Sequence, residues 1–470
     1  MTKVEEIRQL IIDAIEINIA AIEAMLAERK TLDRILDATL PVPVAGVDPD
    51  DDLIVLPEPD PAPPPPQVTP PGMWVRPKPK PLPEWAKVPA NFTNTYYFHP
   101  DGDDANLGTK FLPKKTYNHA MSLLKAAPAG TAFLFARGEA FTATGTKFLG
   151  QKGNNGIDYV YQGAYGEGAD PIVNVTGHFE FEKANGYYWH NINFQGAGYD
   201  NGTPECFRLW DNLQYFVFNN VTTDEFGLGF NISQGRRQPE TYNTHIAIFN
   251  SQGKWNSTSF IYGAFVRHTF IDNNVGEYNG GDGRGHNFYL AGHWDCETSD
   301  YVFQRNISRH CAPRLGKAGG GRSRGGIVAH GYIADLFYVD NLDEEEKGTS
   351  EPGGWGQAID EGSPPNWGDE NFPRLISTGN IAKYTGNVCF SYTNCDNALI
   401  GWNEAWLEPK YDSVGFAIPG KNSEDPATKI KTITFVHNKV YMEGAGPNGT
   451  AIAYRINIDN LIEEHNEVIQ

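Results

Sequence analysis

From Ala264 to Asn341 the chain alternates two kinds of short apolar segment. One is a β-rich run closing on an Asn: Phe265 to Asn274, Tyr301 to Asn306 and Leu336 to Asn341. The other is shorter and opened by His or Gly, as in His286 to Gly292 and Gly326 to His330. Side chains alternate along a strand, so Phe288 and Leu290, or Ile327 and Ala329, are expected to share an interior. A segment this short cannot bury an apolar face alone and must stack on copies of itself. The closing Asn recurs at Asn191, Asn220, Asn250, Asn387, Asn438 and Asn466. Its short amide tolerates a left-handed turn and bonds neighbouring backbone, and stacked copies can bond along the coil axis. The pattern predicts an all-β solenoid over residues 95–470.

Two other patterns precede it. Val4, Ile7 and Ile11, then Ile12, Ile15, Ile19, Ile22 and Leu26 fall at three- and four-residue steps, which predicts a helix over residues 1–40. A docked amphipathic helix and a coiled coil both fit; Ile at both core positions favours three strands, with a stutter at Ile11 and Ile12. Asp13 and Glu16 interrupt what would be the apolar centre of a secretion signal. Residues 41–94 hold more than half of the prolines, with acidic Asp48 to Asp52 followed by basic Arg76, Lys78 and Lys80. Such density excludes helix and central strand and predicts an extended linker. That linker is either a stalk or a strap laid along a neighbouring surface by opposite charge, with Trp74 and Trp85 as anchors.

The entrance to the repeats narrows the fold. Tyr96 to Asp104, then Leu107-Gly108-Thr109, Pro113, Thr116, Ala120 and Gly130 to Gly138, resemble the first-turn signature of the pectate-lyase-like superfamily. The resemblance implies a right-handed, single-stranded parallel β-helix, with a capping helix near residues 117–126. It says little about activity, because one fold hosts many functions.

Composition removes several classes. A net charge of -20 argues against nucleic-acid binding, and no apolar run is long enough for membrane insertion. The five cysteines are scattered without metal-ligand spacing, so neither a disulfide framework nor a zinc site is expected. Asp101, Asp103, Asp104 and Asn106 match Ca²⁺ by ligand type but lack the remote bidentate Glu, and serve equally as turn formers. No cofactor and no metal site is expected.

The candidate chemistry is that of a groove for a linear glycan, which needs aromatic rings and carboxylates or cations. Glycoside hydrolysis needs two carboxylates; Asp282, Asp295 and Glu297 lie around one coil, and Asp360 and Glu361 in the Gly-, Pro- and Glu-rich interruption read from Asp343 to Phe372. Trp294, Arg314, Trp355, Trp402 and Trp406 are the candidate substrate-binding residues. A lyase would instead draw on Arg284, His286, His293, His310, Arg314 and His330, with Lys317, Arg322 and Arg324 recognising an anionic sugar. His286 and His330 also suit plain turn bonding.

The layout, a helical leader, a proline linker and a β-helix, resembles a bacteriophage tailspike. That resemblance implies a homotrimer located in the virion, joined to other tail or capsid proteins through residues 1–94 and directed at bacterial surface polysaccharide. Three readings stay open: a depolymerase of hydrolase or lyase type, a non-enzymatic virion fibre or adhesin, and a cellular polysaccharide lyase or hydrolase.

Overall fold

The computed structural model describes residues 74–149, 159–198, 204–233, 242–264, 266–280, 285–292, 298–311, 325–348, 355–359, 372–393, 395–408, 412–418, 432–442, 449–454, 458 and 460–470. The chain divides into two units, Met1–Gln67 and Val68–Gln470, and all described residues lie in the second. The predicted leader helix and the linker before Trp74 fall outside them.

The described chain winds as a parallel β-helix with three faces. The first sheet begins at Asn94–Phe98 and Thr131–Ala136 and ends at Asn460–Glu464. The second begins at Ala140–Ala143 and ends at Glu467–Ile469, and the third runs from Thr146–Leu149 to Thr450–Tyr454. Two long strands, Asn185–Gln195 and Gln214–Asp224, pass through the bend and join the first two faces into one array of 23 strands; the third face has 11. Register is uniform. Phe216 pairs Ile246, Ile246 pairs Thr269, Thr269 pairs Tyr301 and Tyr301 pairs Leu336.

That register stacks like on like inside. Phe288, Leu290, Ile327 and Ala329 are all buried in the interior, as alternation predicts. Rings pile along the axis: Phe148 on Phe181 at 4.4 Å, Trp189 on Phe218 at 4.7 Å, Phe390 on Phe416 at 4.8 Å. Each such pair adds about 0.5–1.5 kcal/mol beyond its burial. Helix Tyr117–Leu124 closes the first coil with Tyr117, Ala120, Met121 and Leu124 turned inward. Its start is fixed by Thr116, whose hydroxyl accepts from the His119 N–H at 3.1 Å. Asp104 in turn accepts from the Lys115 and Thr116 amides at 2.9 and 2.8 Å. The Lys114 ammonium donates to the Asp104 and Asn106 carbonyls at 3.0 and 2.7 Å. Of the side chains weighed for Ca²⁺, the Asp104 carboxylate therefore already serves the start of the helix, and Asp103 accepts the Ala105 amide of its own turn at 2.9 Å.

The turn from first to second sheet holds the Asn ladder. Asn274, Asn306, Asn341, Asn380, Asn403, Asn438 and Asn466 bond side chain to side chain at 2.9–3.2 Å. From Asn306 onward each oxygen also accepts the amide N–H of the Asn one coil earlier, as from Asn306 to Asn341 at 3.0 Å; the Asn274 oxygen accepts that of Ser251. Asn191, Asn220 and Asn250 stand one residue earlier, in the left-handed conformation, and with Asn219 and Asn273 make a second run of amide bonds on the outside. Asn387 belongs to neither; Asn380 and Asn403 hold the ladder positions in its part of the chain. The interruption read from Asp343 to Phe372 is likewise corrected. Leu342–Glu344 continues the second sheet, and Trp355–Ile359 continues the third.

Residues 74–93 lie as a strap across the outer face of the first sheet. Pro83 and Lys87 take polyproline-type angles around a short turn at Glu84–Ala86. The Trp74 indole N–H donates to Glu464 on the last coil at 3.1 Å, and Phe92 meets Tyr161 near the first at 4.8 Å. At ~3.1 Å per residue that length reaches roughly 56 Å, enough for about ten strand spacings of ~4.8 Å. Between these ends Arg76 pairs with Asp340, and Lys80 exchanges two bonds with the Gln304 amide at 2.8 and 2.9 Å. The tyrosine hydroxyl of Tyr188 donates to the Ala86 carbonyl at 3.2 Å. A Cβ on Gly379 would fall 1.9 Å from the Arg76 guanidinium, so the missing side chain is what seats Arg76. Under the strap run Tyr161, Tyr188, Val217, Ala247, Phe270, Val302 and Phe337, an outward row of mostly apolar residues that the strap keeps dry.

Candidate functional site

With the first sheet covered, the corner between the second and third sheets is the described surface where unusual chemistry collects. Glu225, Trp255, Tyr278, His310 and Tyr384 turn this corner in the left-handed conformation. Such a backbone costs a non-glycine residue roughly 1–2 kcal/mol. Stacking offsets it: Trp255 lies on Tyr278 at 4.5 Å and Tyr278 on His310 at 4.8 Å, nearly parallel. Beside this ridge runs an outer row of the second sheet with alternating charge. Lys254 meets Glu277 at 2.9 Å, and Arg309 bridges Glu277 and Glu344 at 3.7 and 3.0 Å.

The next corner residue along the ridge is Glu345. Its Oε1 accepts the Cys311 N–H at 2.8 Å, and its Oε2 lies 3.9 Å from His310 Nδ1. Its side chain is 14 % exposed. Two residues before it, Asp343 points inward and is 1 % exposed. The strand opening at Gly326 presses against it: a Cβ there would fall 1.9 Å from Asp343 Oδ1 and 2.1 Å from Ser308 Oγ. Burial pushes the Asp343 carboxyl up to about 7, although the Ser308 hydroxyl and Gly326 amide pull the other way. Burial, with Asp343 adding to it, pushes Glu345 up to about 8, against the Cys311 amide. At neutral pH the rim of the corner thus carries a carboxylic acid that can give a proton. The buried Cys311 thiol, also raised by burial, stays protonated. Asp343 is shut inside and cannot reach a substrate.

The other charged outer surface, on the third sheet, offers less. There Glu180 is surrounded by Lys147, His178 at 3.2 Å and Arg208 at 3.6 Å, and its carboxyl is held below the ordinary range despite its burial. It is an ionised, saturated cluster.

Of the residues proposed from sequence, Asp282, Asp295, Glu297, Asp360, Glu361, Trp294 and Arg314 lie outside the described residues, as does the Trp355 side chain. Their attachment points differ. The segments holding Asp282 and Arg314 follow Gly280 and Cys311, at the same corner as Glu345. Those holding Trp294, Asp295 and Glu297, and Asp360 and Glu361, follow Gly292 and Ile359 at the far end of the third sheet. Trp402 stands at the first-to-second-sheet turn, with His437 stacked at 5.1 Å. Trp406 is in the outer row of Glu344, two coils on, between the Lys383 ammonium at 5.5 Å and the Tyr441 ring at 3.8 Å. Both faces of Trp406 are therefore occupied within the fold. His286 is buried, its Nδ1 2.8 Å from the Gly325 carbonyl, in the turn-bonding role. Among the described members of the basic set, His310 lies beside Glu345, at 3.9 Å.

Glu345 and Asp343 were missed because their segment reads as loop. A signal was nonetheless present: four residues after each ladder Asn comes the corner residue, Tyr278 after Asn274, His310 after Asn306, Glu345 after Asn341, Tyr384 after Asn380. Midway between ladder Asn and corner residue comes an inward position, Ser308 or Asp343.

No family model and no curated protein matches the chain by sequence. Among solved structures it is similar to a lacto-N-biosidase of glycoside hydrolase type GH136 from Eubacterium ramulus, with 12 % identity and a TM-score of 0.53 over 80 % of this chain and 68 % of that one. It is similar also to a rhamnogalacturonan lyase, at 13 % identity and TM-score 0.44 over 79 % of this chain and 87 % of that one. A third is the Dettilon tailspike protein, at 13 % identity and TM-score 0.43 over 80 % of this chain and 67 % of that one. These likenesses are of fold, and the parallel β-helix expected from the first-turn signature is the fold observed.

Proposed function

We propose that this β-helix binds a linear glycan along the corner between its second and third sheets and depolymerises it, with Glu345 as general acid. What carries the reading is the carboxyl at that rim, partly exposed and raised to about 8 by its own burial and by Asp343 behind it. Protonated Glu345 would give its proton to the glycosidic oxygen as the bond to the sugar carbon breaks, and His310 beside it would orient the carboxyl. The second carboxylate, which activates water or attacks the sugar, is assigned to Asp282, whose segment starts at the same corner. The substrate class is bacterial surface polysaccharide, and the protein a tailspike-like homotrimer of the virion; the leader pattern and the proline segment support that layout. A second reading, a fibre that binds glycan without cutting it, is favoured by the burial of Asp343, which leaves Glu345 without a described partner across a substrate.

Incubating the chain with extracted surface polysaccharides, and following both reducing ends and the ultraviolet absorbance of unsaturated uronates, separates these. Reducing ends that fall about 10²–10⁴-fold in Glu345→Gln, with glycan binding retained, are expected. Activity should decline as pH rises through about 8, and that limb should vanish in the variant. Binding without cleavage in the parent chain would leave the fibre reading; unsaturated products would replace the acid with a lyase base.

A further inference from the structure

The strap crosses the first sheet over a column of titratable groups that the proposed glycan site does not use. Trp85 sets its edge against His245 at 5.4 Å and Tyr215 at 6.3 Å. His245 is itself sandwiched, with Tyr215 on one face at 4.3 Å and His268 on the other at 4.8 Å. Its Nδ1 is buried with no hydrogen-bond partner. The column continues as His268 Nδ1 donates to Asp300 at 2.9 Å, and Asp300 lies 3.8 Å from the Lys80 ammonium of the strap. Nearby charges are engaged elsewhere: Arg267 lies over the Tyr242 ring at 4.2 Å, Asp335 beside Asp300 on the next coil is held by Arg374 at 2.5 and 2.7 Å, and Glu84 and Lys87 pair with each other on the strap's solvent side.

We propose that this column is a proton-operated catch, in which proton uptake by His245 and Asp300 releases the strap and uncovers the outer face of the first sheet. A proton on His245 would place a cation between two rings, against a second imidazole and with no acceptor at Nδ1; withdrawing Trp85 gives it water. A proton on Asp300 removes the partner of both Lys80 and His268. Burial holds His245 down to about 4, with His268 acting the same way and Asp300 opposing. The His268 bond holds Asp300 below its ordinary range against its burial, with Lys80 helping. Both groups have folded values depressed below ordinary ones, so the docked strap is firm at neutral pH. His245 loosens it as pH falls from 6.5 toward about 4 and Asp300 completes the release below that. Were the whole His245 shift due to the strap, opening would be roughly 100-fold more favourable at pH 4 than at pH 7, approaching roughly 300-fold below that.

The test uses the full chain. Hydrogen exchange of the amides in residues 75–88, corrected for the intrinsic pH dependence, is compared between pH 7 and pH 4 with that of the coil strands. The expected result is a reversible loss of protection in the strap of at least tenfold while strands such as Val266–Asp272 stay protected. His245→Phe, which keeps the stack but takes no proton, should hold the strap at pH 4. Asp300→Asn, read in parallel should the first variant fail to fold, should weaken strap protection already at pH 7, because Lys80 and His268 lose their partner, while keeping the loss between pH 7 and pH 4 that His245 carries. Strap protection that is unchanged at pH 4, lost equally in His245→Phe and the parent, or no weaker at pH 7 in Asp300→Asn than in the parent, overturns the proposal.

Discussion

At the scale of single residues the least expected feature is a carboxyl inside a β-helix. Asp343 occupies an inward position matched by Ser308 one coil earlier and Ala382 one coil later. An ionised group there would be costly, and the side chain responds by keeping its proton to about pH 7. The sign of the resulting pH dependence follows. Asp343 and Glu345 have folded values raised above those of an unfolded chain, near 4. Their contribution to stability is therefore full below about pH 4 and is lost as pH rises through about 7 and about 8. For Asp343 the change is on the order of 4 kcal/mol. Thermal unfolding should show a melting temperature that falls between pH 5 and pH 8.5, and Asp343→Asn should flatten that slope. A parent chain that gains stability over the interval would contradict the assignment.

Among the elements, the two Asn runs differ in what they stabilise. Asn341 sits wholly inside the turn, accepting from the Asn306 N–H and side-chain amide and donating to the Phe303 carbonyl and Asn380. Asn250 makes its bonds at the surface, where water can replace them. Asn341→Ala leaves several buried groups unpaired at about 1–3 kcal/mol each, whereas Asn250→Ala loses chiefly its tolerance of the left-handed turn, about 1 kcal/mol. Denaturant unfolding should rank the first variant well below the second; equal losses would mean that the inner amides are no more than spacers. The strap illustrates the same physics from the other direction. Its prolines offer few N–H groups, so its remaining polar backbone is met by the side chains of Gln304, Tyr159 and Tyr188 rather than by a β-ladder.

On the scale of the whole molecule, these elements divide the surface. Among the described residues the strap covers the first sheet and helix Tyr117–Leu124 covers the first coil, and the polar and charged outward rows are those of the second and third sheets and their corner. Assembly is assigned by the proposed function to residues 1–40, a segment outside the described residues. If Ile12, Ile15, Ile19 and Ile22 form a three-stranded seam, Ile15→Asp with Ile19→Asp puts unpaired charge into it and should abolish the trimer. Sedimentation showing an unaltered trimer would reject the seam.

The solenoid was legible in the chain's local patterns. Alternation, closing Asn residues and the first-turn signature are local patterns, and in a stacked coil local pattern suffices because each unit contacts only its neighbours. The sequence also offered Trp74 and Trp85 as anchors for one of two alternatives, a strap laid down by opposite charge rather than a stalk, and the described residues 74–93 lie as a strap. Which Asn residues face in depends on how the coils stack, because a one-residue shift exchanges the ladder for the surface, as Asn273 and Asn274 show. That stacking alone made Asp343 interior and Glu345 an acid, since the burial responsible comes from the coils packed around them and not from the residues beside them in the chain.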